Sequence, residues 1–444
     1  MKKYFLAVAS FFIYSHISLG QVYPGQMDST FVPVRSHHYD PELTFDFCVN
    51  EPAWSNQAGI HSAFGSTDRL YFRKEVPVNH DNDLSSSYST TVWRGERANA
   101  QILVWSSEAL EQVRVSTQDL RSAEGNIIPK DRITFELVRY VLSNYPYAEK
   151  KAICGESPYK SGFSMPDRFE TLDRFDLPSQ TTRPVWMMVD VPRGTAPGTY
   201  KGKVEVRAKG KAPQLLNLEI VVQNQLLPYP KDWKYRLDLW QNPWAVAWYN
   251  HVEPWSPEHK MLLKQHLKHY ADAGGTYITT YGVHSPWSDN SYMIEGGMIE
   301  WIKKADGTWA FDYKIFDEYV ELAMECGIDE AITLYTPIPW GFRHRYKDEA
   351  TGDYSYINWA PSSEEFKKMW NIFLTDFKFH LEAKSWLDIT YIGINENPME
   401  ETLAAIHVVR NHDKCWKITY AGNWHKELDG LLDDYSFLYG EEPT

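Results

Sequence analysis

The chain changes its hydrophobic rhythm at Leu226-Leu-Pro-Tyr-Pro230, and that change limits the folds open to it. Before it, from about Val22 to Leu227, short alternating runs recur, such as Gln101–Trp105, Val113–Thr117 and Val185–Val191. Side chains that alternate between faces belong on strands with one buried side. Turn chemistry at Pro192-Arg-Gly194 and Ala196-Pro-Gly-Thr-Tyr200 separates the runs. Tyr200–Arg207 and Leu215–Gln223 are spaced to pair antiparallel across Lys209–Pro213. With almost no helical period present, residues 21–227 are predicted to form a β-sandwich.

Beyond the proline-punctuated boundary, strand and helix patterns alternate, the mark of a parallel sheet. Strands are predicted near Arg236–Trp240, Tyr277–Tyr281, Ala331–Tyr335, Ile389–Ile394, Ile418–Ala421 and Ser436–Tyr439. Helices are predicted over Pro257–Ala273, Asp312–Cys326, Ser363–Leu381, Met399–Arg410 and His425–Asp433, with Gly274-Gly275 and Gly327 as C-caps. The fold class is therefore multidomain, β followed by α/β: the sandwich, then a (β/α)8-type barrel over 228–444 with about six strands present. An eight-stranded barrel takes about 250 residues, more than this stretch supplies. The expectation is that the sequence stops before the natural end of the barrel, with an open sheet as the alternative.

The N-terminus reads Lys2-Lys3, an apolar run from Tyr4 to about Leu19, then Gly20-Gln21. This is the pattern of a secretory signal peptide over 1–20, cleaved near Gly20, and it implies a secreted or periplasmic protein. The run is too short, and carries Ser and His, for a membrane span. A formal net charge of −14 argues against nucleic acid and other polyanions as partners. The four cysteines, Cys48, Cys154, Cys326 and Cys415, show no metal-ligand spacing and read as structural thiols. His266 and His269 share a helix face but are flanked by Lys264 and Lys268, without a third ligand. No metal or cofactor is expected; neither a phosphate-cradling loop nor a dinucleotide fingerprint occurs. With 18 Trp, 28 Tyr and 20 Phe, aromatic rings are plentiful enough to fill a core and to line a sugar-binding surface as well.

The stretch Asp388-Ile-Thr-Tyr-Ile-Gly-Ile-Asn-Glu-Asn-Pro-Met399 begins as a buried strand and turns polar at Asn395 and Glu396. Asn397-Pro398 then reads as an N-cap and first helical residue, with Glu400 and Glu401 at the positive helix end. Glu396 is either a helix-capping carboxylate or a catalytic one, since α/β barrels keep their chemistry at the C-terminal ends of strands. The other strand ends are rich in the same groups: Asp238-Leu-Trp240-Gln-Asn-Pro-Trp244, Tyr281-Gly-Val-His284-Ser-Pro-Trp287, Tyr335-Thr-Pro-Ile-Pro-Trp340, Asn423-Trp424-His425 and Tyr439-Gly-Glu441. The segment Gly341–Ser362 is predicted to form a pocket wall or a surface loop. Carboxylates and aromatics without a cofactor motif point to glycoside hydrolysis.

Three motifs, Trp93-Arg-Gly-Glu-Arg97 before Gln101–Trp105, Asp190-Val-Pro192 with Ala196–Gly202, and Tyr391-Ile-Gly-Ile-Asn-Glu396, together resemble glycoside hydrolase family 123 across most of the mature chain. The resemblance implies a β-sandwich joined to a (β/α)8 barrel and release of terminal β-linked N-acetylgalactosamine from a glycan or glycoconjugate with retention. It also implies a substrate-assisted mechanism in which the sugar's acetamide oxygen attacks C1, served by an adjacent Asp-Glu pair. Glu396 matches the acid/base; the polarising Asp is replaced by Asn395. An amide can accept from the acetamide N–H but supplies no negative charge. By position at strand ends, Trp240, Tyr335, Trp340, Trp424 and Tyr439 are candidates to hold the acetamide and sugar face, and His284 to bind a sugar hydroxyl. A non-catalytic carbohydrate-binding protein, or an inactive truncated homologue, is the alternative reading.

Overall fold

The computed structural model describes residues 51–77, 84–143, 163–287 and 296–437, together with the short paired strands Gln26–Asp28 and Glu42–Thr44. The leader at 1–20 and Tyr439 lie outside the described residues. The chain divides into two compact units, Met1–Leu227 and Pro228–Thr444.

In the first unit two sheets enclose one apolar core. One sheet orders Phe163–Glu170, Ile133–Ser143, Thr181–Asp190, Arg97–Ser106 and His61–Gly65, all antiparallel. The other orders Phe175–Leu177, Leu110–Thr117, Gly198–Arg207, Gln214–Leu226 and Ser87–Arg94, with the last pair parallel. Alternate residues such as Ile102, Val104, Met187 and Val189 on the first sheet share the core with Val204, Val206, Leu218 and Ile220 on the second. The predicted hairpin forms in the expected sense, with Tyr200 opposite Ile220. Two of the motifs quoted above meet at one corner. Val191 N donates to Glu96 O at 3.0 Å, Gly95 N to Val191 O at 2.9 Å, and Arg97 Nε to Asp190 at 2.6 Å. Their role here is to close a sheet corner.

The second unit is built on a five-stranded parallel sheet. Its strands run in sequential order: β1 (Tyr277–Tyr281), β2 (Ala331–Tyr335), β3 (Thr390–Asn395), β4 (Lys417–Ala421) and β5 (Asp434–Ser436). Helices α1 (Pro243–Asn250), α2 (Pro257–Asp272), α3 (Lys314–Glu325), α4 (Glu364–Lys384) and α5 (Met399–His412) connect and cover them. Ser256 and Ser363 cap α2 and α4 by accepting from His259 N and Phe366 N, and Gly274 and Gly327 follow α2 and α3 with φ of 90° and 94°. Among the described residues no helix is long and apolar enough to cross a membrane.

Several expectations need correction. The first barrel strand, Arg236–Trp240, is reduced to a single bridge between Leu237 and Gly275, because Gln241 and Tyr270 side chains rather than a strand ladder take up the polar groups beside it. The last strand is Asp434–Ser436, not Ser436–Tyr439. The helix expected over His425–Asp433 is one 3-10 turn, Lys426–Leu428. Asp433 explains this: its backbone N donates to Ile418 O and its carboxylate accepts from Ile418 N, both at 2.8 Å, which returns the chain to β4 too early for a helix. Among the described residues the sheet is thus an open wall of five strands. A second sheet was not anticipated. Glu300–Lys303, Trp309–Asp312, Arg343–Asp348 and Tyr354–Asn358 form four strands, so most of the Gly341–Ser362 segment is a hairpin rather than a loop.

Period-two alternation decides what each strand offers. Ile332 and Leu334, Ile392 and Ile394, and Ile418 join the core that also holds Phe316, Trp370, Phe373, Ile406 and Val409 from the helices. Thr333, Tyr335, Gly393, Asn395 and Thr419 therefore face the opposite side. Gly393 is required there by space: a Cβ would lie 2.8 Å from Tyr335 ring carbons and 2.9 Å from Thr333 Cγ2. Gly393→Ala is expected to cost about 1–3 kcal/mol through overpacking, read as a lower urea midpoint. An unchanged midpoint would show that Tyr335 is free to move aside.

Candidate active site

The break at the end of β3 is what exposes Glu396. The strand's ladder ends with Asn395 opposite Ala421, Glu396 sits in a bend, and α5 starts at Met399. Pro398, not Asn397, holds the N-cap position, and it offers no side-chain cap. Asn397 instead turns its amide onto Ile338 O at 3.0 Å. On a continuous strand Glu396 would point into the helix-packed core. Because the strand stops, its carboxylate is exposed, and Oε1 accepts from Asn423 Nδ2 at 2.8 Å. The Asn423 backbone is fixed in turn: its carbonyl accepts from Tyr435 Oη at 2.7 Å, and that hydroxyl also receives His425 N at 2.7 Å. Tyr420 is fully buried close by, and its hydroxyl has no hydrogen-bond partner among the described residues. Burial, reinforced by the negative charge of Glu396, pushes Tyr420 up to about 12.

Asn395 is only 1% exposed. Its amide is satisfied at both ends when Nδ2 points to Ile338 O (2.7 Å) and Thr336 Oγ1 (3.0 Å) and Oδ1 accepts from Trp340 Nε1 (3.1 Å). The amide thereby bridges β3 to the exit of β2. Trp340 is half-buried, and its backbone N donates to Pro286 O at 2.9 Å, which adds the segment after β1. Three strand exits meet at this point.

An aromatic platform stands at the same strand ends. Trp240 and Trp287 stack with ring centroids 5.0 Å apart and planes 20° apart, and each packs on Tyr335, at 4.9 and 5.2 Å. Tyr335 is 1% exposed, and burial raises its hydroxyl well above the usual range. Trp240 is 47% exposed, so its ring is available to a ligand. His284 is half-buried, lowered to about 4 by burial and then by Arg345 and Arg343, and is therefore neutral at pH 7. Among the described residues, no hydrogen bond or ring contact joins His284 to Glu396. Trp424 is half-buried next to Asn423. Trp240 and Tyr335 are thus brought together, Trp340 joins Asn395, and His284 stands apart beside the Arg343–Asp348 strand. Site selection from sequence passed over Trp287, Asn423, Thr336, Asn397 and Tyr420. Trp287 and Asn423 carried the same strand-end signal as the chosen residues, whereas only the fold reveals the other three.

Asp238 lies at the position of the reduced first strand, with Oδ1 buried and unpartnered among the described residues. Burial, then repulsion from Asp434, raises it to about 6. The raised value means that the folded state favours the protonated form. Stability is therefore lost as the pH rises from about 4 to about 6, the loss is complete above that, and almost nothing is lost below pH 4. Asp238→Asn is expected to stabilise the fold at pH 8, by on the order of 3 kcal/mol at most, and to leave its unfolding midpoint nearly unchanged at pH 4. An equal effect at both pH values would contradict this assignment.

The profile for the glycoside hydrolase 123 catalytic domain matches residues 240–444, and that for the glycoside hydrolase 123 N-terminal domain matches residues 64–208. The chain is a glycoside hydrolase by descent, and it belongs to glycoside hydrolase family 123. A family 123 glycoside hydrolase from Clostridium perfringens, described in connection with glycolipid glycan hydrolysis, is similar with a TM-score of 0.76 and 26% identity. The match covers 86% of this chain and 67% of that one. A family 39 glycoside hydrolase from Bacteroides cellulosilyticus WH2 aligns over 70% of this chain and 48% of its own, but at a TM-score of 0.24 and 12% identity it supports no argument. No curated protein matches the chain significantly in sequence.

Proposed function

We propose that this protein is an exported glycoside hydrolase that releases terminal β-linked N-acetylgalactosamine by a retaining, substrate-assisted mechanism, slowed by the amide at position 395. The observation that supports it most is the exposed Glu396 carboxylate at the end of a buried parallel strand, oriented by Asn423 and adjacent to Asn395. The acetamide oxygen of the sugar attacks C1 while the glycosidic C1–O bond breaks, and the departing oxygen takes the proton of Glu396. The product of this step is an oxazolinium ion. Water then attacks C1, gives its proton to the Glu396 carboxylate, and the ring reopens to the acetamide with retained configuration. The exposed face of Trp240, backed by Trp287 and Tyr335, is suited to the C–H face of the sugar.

Asn395 decides how fast this runs. A carboxylate there would stabilise the oxazolinium, and losing such a group costs about 10²–10³ in rate. The surroundings can hold one: Trp340 Nε1, Thr336 Oγ1 and Asn397 Nδ2 lie 3.0–3.3 Å from the side-chain atoms. The opposing group is Ile338 O, which already accepts from Asn397. Three donors outweigh one satisfied acceptor. Asn395→Asp is therefore expected to raise turnover of an aryl β-N-acetylgalactosaminide by about 10²-fold or more, with retention visible by NMR of the first product. No gain over the parent would remove the role assigned to position 395.

The full engagement of the Asn395 amide by its neighbours also favours a second reading, a carbohydrate-binding protein that keeps the aromatic platform without turnover. Binding of N-acetylgalactosamine with no hydrolysis, even in Asn395→Asp, would select it.

A further inference from the structure

The hairpin Arg343–Asp348/Tyr354–Asn358 presents a face whose chemistry the reaction at Glu396 does not use. Its register places Arg343 opposite Asn358, Arg345 opposite Tyr356 and Lys347 opposite Tyr354, and directly opposed residues project to the same side. Arg343 lies over the Tyr356 ring at 4.7 Å and Arg345 over the Tyr354 ring at 4.2 Å. The other side of the hairpin is anchored by His344, buried against Trp359 and Trp370, so the charged side faces outward.

Cross-strand Arg–Tyr pairs by themselves can simply stabilise a hairpin. Two observations go beyond that. Three cations share this face in a chain of net charge −14, and one carboxylate answers them among the described residues: Glu300, 3.8 Å from Arg345. Further, Arg345 Nε is buried with no hydrogen-bond partner among the described residues, an unspent charged donor of the kind that carries a penalty until an acceptor arrives. Tyr354, whose hydroxyl donates to Glu300 at 2.8 Å, and Tyr356 remain 49% and 52% exposed.

The face also adjoins the site. Trp340, whose indole reaches Asn395 at 3.1 Å, precedes Arg343 by three residues, a distance of about 10 Å at full extension. A guanidinium group over a tyrosine ring keeps its N–H donors in the fork that matches a carboxylate or sulfate. Exposed aromatic faces beside them accept pyranose C–H groups.

We propose that this hairpin face is an aglycone subsite for an acidic sugar, bearing a carboxylate or a sulfate ester, on the leaving-group side of the scissile bond. The proposal rests on the glycosidase reading above and adds the substrate class to it. It is tested on the full chain in the Glu396→Gln background, by calorimetric titration with three β-N-acetylgalactosaminides. Their aglycone sugars are a uronic acid, a sulfated galactose and plain galactose, so the first two distinguish carboxylate from sulfate. At least one acidic ligand is expected to bind about tenfold tighter than the neutral one, with the preference shrinking as salt is raised. Arg343→Gln/Arg345→Gln should remove the preference, and Arg343→Lys/Arg345→Lys should keep part of it. Equal affinity for all three ligands, or a preference that survives the double Gln substitution in a chain with parental melting behaviour, overturns the subsite alone. Binding of none of the three overturns the glycosidase reading and the subsite with it.

Discussion

The Asn395 amide is the contact on which the candidate site depends. It lies at the last ladder position of β3, on the face away from the helices, and reaches Ile338 O and Trp340 Nε1 beyond β2. Trp340 in turn donates its backbone N–H to the carbonyl of Pro286 beyond β1. The Asn397 amide on Ile338 O and the Trp287 ring on Tyr335 tie the same exits together alongside it. Glu396 follows immediately, and its exposure depends on the strand ending there. A buried polar group of this kind is costly when unpaired and rigidifying when satisfied. Here it is satisfied, which makes position 395 a structural residue as well as a candidate chemical one.

The aromatic wealth of the chain turns out to serve two purposes. Trp301, Trp370 and Trp416 are almost wholly buried, and Trp301 stacks on Phe373 at 4.8 Å, in the layer between strands and helices. These rings fill volume. A smaller group at the strand ends, Trp240 with Trp287 and Tyr335, keeps one exposed ring. Composition could not separate the two groups, because a tryptophan in a core and one in a cleft look the same in sequence. Their position relative to strand ends does separate them.

β1 and β2 were legible to the residue, since Tyr277–Tyr281 and Ala331–Tyr335 are compact β-rich runs preceded by helix-terminating glycines. The sandwich hairpin was legible for the same reason. What escaped was set by long-range contacts. The α1 helix begins at an Asn242-Pro243 cap that was masked by the surrounding aromatics. The Arg343–Asn358 hairpin alternates charge with aromatic side chains, a pattern that resembles an exposed loop until its inner face meets Trp359 and Trp370. The stretch before β5 has helical spacing at Leu428 and Leu431, but Asp433 pairs back to Ile418 and overrides it. Within the site, the break at Asn395–Glu396 was readable locally. The Asn423 contact and the Trp340 bridge were not, because residues far apart in sequence make them.

Glu396 is proposed to move the proton that releases the aglycone. A leaving-group series of aryl β-N-acetylgalactosaminides, compared between the parent and Glu396→Gln, tests this most directly. General-acid help matters most when the leaving oxygen is basic. The substitution is expected to cost about 10²-fold or more for poor leaving groups and much less for nitrophenols that depart unaided. A loss that is the same across the series, or no loss at all, would contradict it.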